Sequence, residues 1–130
     1  MSEERQLQKM TEWAGLFLEP GETIRVAAWG PSSELAYLIG VGSGRIAAVT
    51  ERHVYVFESP LWGRMSRPRG VVAKHPVGSV RMRLNGWALH IGDERMAVHF
   101  HHRGRARRII GLAADISRPD SHPPANQRVR

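Results

Sequence analysis

The residues best able to do chemistry in this chain fall into four groups. In the first, His99 and His101 flank Phe100, so strand-like alternation would put both imidazoles on one side, with His90 in reach and His102 adjoining. Three imidazoles suit zinc. However, no Asp or Glu is spaced to orient them from behind, and arginines crowd the stretch, so no metal is expected. The second group is a basic face: Arg81, Arg83, His90, Arg95 and His99 recur at alternate positions of three strand-like stretches. Such a face can hold phosphates. It lacks the exposed aromatics on which single-strand binders stack bases, which argues against nucleic acid.

The third group is the stretch from Ser59 to Arg69. Leu61, Trp62 and Met65 stand there among Arg64, Arg67 and Arg69. Indole favours a membrane interface, and each arginine near an anionic surface adds about 1 kcal/mol. Trp and Arg are equally the usual anchors of a protein interface. The fourth group is Arg103, Arg105, Arg107 and Arg108, at the start of a helical pattern. Cations there oppose the helix dipole; the expectation is that they extend into water, where the cost is screened, with a compensating acidic partner as the alternative.

Catalytic patterns are missing. The chain has no cysteine and no G-x-S-x-G, and Glu51, Glu58, Asp93 and Glu94 fall in turns or at strand ends without facing one another. The run Gly40, Gly42, Gly44 is not followed by the Lys-Ser/Thr of a phosphate loop. No enzyme activity, cofactor or small-molecule substrate is expected.

These groups need elements to hold them. The clearest stretch is Ser79–Phe100. Val80, Met82 and Leu84 alternate with polar residues, Asn85-Gly86 suggests a two-residue hairpin turn, and Trp87, Leu89 and Ile91 alternate in return. After Gly92-Asp93-Glu94, Met96, Val98 and Phe100 make a third pass. With that turn, Arg81 lies opposite His90. The result is a three-stranded meander with one apolar and one basic face.

Upstream, residues 3–18 read as an amphipathic helix capped by Ser2, with Leu7, Met10, Ala14 and Phe17 along one stripe. Thr23–Trp29 reads as a strand with Ile24, Val26 and Ala28 on one face, broken at Gly30-Pro31. Residues 35–41 read as a buried strand or a large loop. Arg45–Thr50 and His53–Glu58 pair through a tight turn at Glu51-Arg52. Val54 and Val56 face one side and Tyr55 and Phe57 the other, so both faces need cover. Gly70–His75 is a further strand. Gly104–Ile116 is a helix with Ala106, Ile109, Ile110 and Ala113 inward. From Ser117 the chain is polar and proline-rich, and a disordered tail is expected.

Seven strands followed by one helix resemble the bacterial pleckstrin-homology-like (PH-like) domains. The stretches that carry the resemblance are Leu18-Glu19-Pro20-Gly21-Glu22, Ala48 to Phe57, His75 to Val80, and Ala106 to Leu112. The resemblance implies a mainly β (α+β) fold: a seven-stranded, bent antiparallel barrel capped by a C-terminal helix, here over residues 19–116. An additional helix over 1–18 and a tail over 117–130 lie outside it. It also implies a non-catalytic module that binds lipid headgroups, peptides or other domains. In phosphoinositide-binding members, basic residues come from the connection between the first two strands. Gly30 to Gly44 holds no Lys or Arg, so that site is not expected here.

The 130 residues suffice for one core, and 42% are hydrophobic. The net charge is +7, almost all from arginine, since Lys9 and Lys74 are the only lysines. No apolar leader or bilayer-length run is present, which suggests a cytoplasmic protein. The expected partner is a protein, foreign or a second copy, met through Trp13, Phe17 or the outer face of Tyr55 and Phe57. The alternative is peripheral binding to anionic membrane lipids through residues 59–69.

Overall fold

The computed structural model describes residues 2–33, 44–60, 67–98 and 102–117. Among them lie an N-terminal helix α1 (Glu3–Trp13), seven strands and a last helix α2 (Arg103–Ser117). The strands are β1 (Val26–Pro31), β2 (Gly44–Val49), β3 (His53–Ser59), β4 (Gly70–Pro76), β5 (Met82–Asn85), β6 (Ala88–Ile91) and β7 (Glu94–Ala97). The fold is α+β and mostly β. Its antiparallel ladders form two sheets, β1-β2-β3-β4 and β5-β6-β7, rather than one closed barrel. The chain leaves the first sheet at Pro76, which has no N–H to donate, and turns through Val77 and Ser79 before the second begins.

At the other side the sheets meet backbone to backbone. A Cβ on Gly30 would lie 1.7 Å from the Ala97 carbonyl oxygen, so only glycine lets β1 and β7 approach there. Gly30 and Pro31 therefore finish β1 instead of breaking it. Strand β1 also starts later than the sequence suggests. Ile24 precedes it and packs on the α1 side, while Val26 and Ala28 enter the opposite cluster.

Two apolar clusters result. One lies between the sheets and α2, and includes Val49, Val54, Val56, Leu89, Ile91, Met96, Ala106 and Ile109. The other lies under α1: Met10, Ala14, Ala27, Ala48, Tyr55 and Phe57, with Leu7, Phe17 and Leu18 beside them. Tyr55 and Phe57 are fully buried and Phe17 sits 6.0 Å from Phe57, centroid to centroid. The expected outward docking face of Tyr55 and Phe57 is thus covered by the chain's own helix, because burying two aromatic rings outweighs leaving them wet.

Helix α1 begins as its sequence suggests, with the Ser2 hydroxyl accepting from the Arg5 N–H at 3.2 Å. It ends at Trp13, earlier than the expected residue 18. The carbonyl of Ala14 instead accepts from the N–H groups of both Phe17 and Leu18 after Gly15, and this turn lays their side chains on the aromatic face. Strand β4 carries a bulge where Val71 and Val72 together oppose Phe57. The expected segment 35–41 and the tail beyond 117 lie outside the described residues.

Candidate binding surfaces

The densest polar cluster is closed to solvent. Glu22 follows the turn Glu19-Pro20-Gly21, where Gly21 has φ 85°, a value favoured by glycine. The Glu22 side chain is fully buried. Its Oε1 accepts from the Glu19 N–H at 2.8 Å and from the Tyr55 hydroxyl; its Oε2 accepts from the Thr50 hydroxyl at 2.5 Å and from His53 Nδ1 at 2.8 Å. Burial pushes the Glu22 carboxyl up. The donors from Thr50, Tyr55, His53 and Glu19 together pull it down further, leaving it at about 2. Burial and the neighbouring carboxylate push the Tyr55 phenol up. Glu19, just outside, takes an ion pair from Lys74 at 2.8 Å and is held below the usual carboxylate range, chiefly by that hydrogen bond.

This cluster pairs an acid with a histidine, but all four acceptor positions of Glu22 are filled. A carboxylate so occupied has no lone pair left for a substrate proton. Its role is to tie the segment after α1 to the β2–β3 turn. Sequence reading missed Glu22 because its three side-chain partners lie 28 to 33 positions away; the nearby Pro-Gly turn is the only local sign.

An open surface lies at the end of α1. The Arg67 guanidinium stands 5.5 Å from the Trp13 ring centroid and the Lys9 ammonium 6.0 Å from it. Leu16, three residues on, is 94% exposed. Two regions that the sequence presents separately, the N-terminal helix and the basic stretch before β4, are thereby joined. Arg69 is exposed and its N–H donates to the Glu58 carbonyl at 2.7 Å. Leu61, Trp62, Arg64 and Met65 lie outside the described residues. Leu16 was missed because it falls off the apolar stripe, past Gly15.

The meander's basic face forms with a corrected register. Gly86, with φ 62°, and Trp87 make the two-residue loop, and Asn85 pairs with Ala88. Arg83, not Arg81, therefore lies opposite His90, which in turn lies opposite Arg95. The positive φ required at the first loop position falls to Gly86, which puts Asn85 inside β5. Trp87 is 53% exposed instead of packed in the core. Arg103 lies over its ring at 5.2 Å and donates Nε–H to the Gly86 carbonyl at 3.0 Å. Arg81, Met82, Arg83, His90 and Gly92 line a groove of about 520 Å³.

Two arginines at the start of α2, expected to extend into water, instead meet an acid supplied within the chain. Arg108 pairs with Glu3 at 2.6 Å, and Arg105 reaches Glu3 at 3.8 Å and Gln6 at 3.1 Å. His102 is buried, and its Nδ1 accepts from the Trp29 N–H at 2.9 Å, so that nitrogen bears a lone pair used inside the fold. His99 and His101 lie outside the described residues. Among the described residues no three His, Cys, Asp or Glu side chains are grouped to hold a metal, and no helix is long and apolar enough to cross a membrane.

The chain matches no known family model, and no curated protein matches it.

Proposed function

We propose that this chain is a non-catalytic binding module with a PH-like arrangement, and that it docks an acidic protein partner through Lys9, Trp13, Leu16 and Arg67. Seven antiparallel strands divided four and three, followed by a helix packed on β1, β2 and β5, support the PH-like reading. The observation that carries the docking reading is Leu16, 94% exposed and three residues after Trp13, whose ring is flanked by two cations. An aliphatic anchor, an indole and an arginine together have the make-up of an interface core. A net charge of +7 favours an acidic foreign partner over a second copy of the chain. The same side chains suit an anionic bilayer, which is the second reading.

Leu16→Asp separates these readings without touching the core. The expected result is a monomer in sedimentation velocity at every concentration, no vesicle binding at physiological salt, and a captured acidic protein lost with Leu16→Asp and Arg67→Glu. Binding to anionic but not neutral vesicles that survives physiological salt, and is lost with Leu16→Asp, would transfer the surface to the membrane. A partner held equally by the parent and both variants would sink the surface altogether.

A further inference from the structure

The basic groove on β5 and β6 is separate from the α1 surface. Most cations near an acid in this fold are engaged: Arg25 with Glu51, Arg52 and Lys74 with Glu19, Arg105 and Arg108 with Glu3. Arg81 and Arg83 are exposed, two residues apart, and neither has a carboxylate partner among the described residues. Asp93, in the adjoining turn, pairs with neither.

The register sets no acid across from Arg83: its cross-strand partner is His90, and Arg81 stands two residues away along the chain. Like charges this close disfavour one another. Gly92 donates its N–H to the Arg81 carbonyl at 2.8 Å. It brings no side chain to the groove that Arg81, Met82, Arg83 and His90 otherwise line. An anion in that space would offset the crowding. Two guanidinium forks present the paired N–H groups that match phosphate oxygens. A volume of about 520 Å³ has room for more than a bare ion.

We propose that this groove binds a phosphate monoester, with Arg81 and Arg83 donating to the phosphoryl oxygens and His90 at the side. The ester can belong to a soluble metabolite or to a lipid headgroup, since both present the same group.

The test is an NMR titration of the full ¹⁵N-labelled chain with inorganic phosphate and with glycerol phosphate, chloride holding the ionic strength constant. Saturable shifts confined to the amides of β5 and β6 and to the His90 ring are expected. Arg81→Gln and Arg83→Gln should each weaken binding by roughly tenfold, the loss of a hydrogen bond to a charged group. Arg107→Gln, on exposed α2, and Leu16→Asp should leave it unchanged, so failure here is distinct from failure of the α1 surface. Shifts that do not saturate, or that weaken as much with Arg107→Gln, would reduce the effect to general attraction by a basic chain and overturn the site. Phosphatidylcholine vesicles doped with phosphatidic acid form the second arm. Sedimentation lost with Arg83→Gln assigns the phosphate to lipid, and saturable binding of the soluble esters alone assigns it to a free metabolite. The same spectra show directly whether each variant is folded.

Discussion

The two sheets use their faces differently. In the first, β1 is buried throughout, and β2 and β3 are buried but for Arg45, His53 and Glu58, with α1 on one side and the shared core on the other; only the edge strand β4 is largely exposed. Small residues make this possible: Ala27 and Ala48 cluster with Met10 of the helix and Ala14 just past its end. In the second sheet, Leu89, Ile91 and Met96 go inward while Arg83 and Arg95 stand in water. A sheet covered on both sides must satisfy each polar group internally, as Glu22 does. A sheet with a wet face tolerates cations without a facing acid, as at Arg83, whose cross-strand partner is His90. The proposed binding surfaces accordingly lie on the outside of the fold, and its most elaborate hydrogen bonding lies around the buried Glu22.

Three substitutions probe that contrast. The largest effect is expected from Phe57→Ala, which empties the space under α1 and should cost about 3–5 kcal/mol in urea unfolding. A loss below about 1 kcal/mol would mean that α1 does not cover the first sheet. Next is Glu22→Gln. The Glu22 carboxyl sits at about 2 in the folded chain against an ordinary 4.5, so folding favours its ionised form. That stabilisation, about 3 kcal/mol, is complete above pH 4.5 and is lost as the pH falls towards 2. Glu22→Gln should lose a similar amount at neutral pH and flatten the acid limb, and an unchanged limb would show the carboxylate to be solvated. The smallest effect is on the second sheet. Arg83→Gln should alter stability by no more than about 0.5 kcal/mol, since it removes an exposed charge facing His90. A larger loss would give Arg83 a structural role.

How much of this was legible depends on the distance over which each feature is encoded. The β2–β3 hairpin, the Ser2 cap, the inward stripe of α2 and, apart from Trp87, the two faces of the meander are local patterns, and these were readable. The hairpin register was not. Moving the loop from Asn85-Gly86 to Gly86-Trp87 shifts the pairing by two positions, and a two-residue shift leaves each side chain on its original face. Alternation therefore cannot distinguish the two registers; backbone geometry at Gly86 does. Ile24 was misassigned because the strand rhythm begins only at Val26. The Trp13–Arg67 stack and the Glu22 cluster escaped because each joins residues remote in sequence. Leu61, Trp62, Arg64, Met65 and His99 stay expectations from sequence alone.

The ion pair between Glu3 and Arg108 links residues 105 positions apart, the first helix to the last. Contacts of that span form only once the intervening chain has found its place, because the loop they close is costly until then. The expected outcome is that the pair forms after the rate-limiting nucleus, which Glu3→Gln tests by its effect on the two arms of a denaturant chevron. The pair's contribution then belongs to the unfolding arm and leaves the folding arm unchanged. On that expectation the Glu3–Arg108 contact is a latch, which slows the opening of the fold and leaves its assembly as it was.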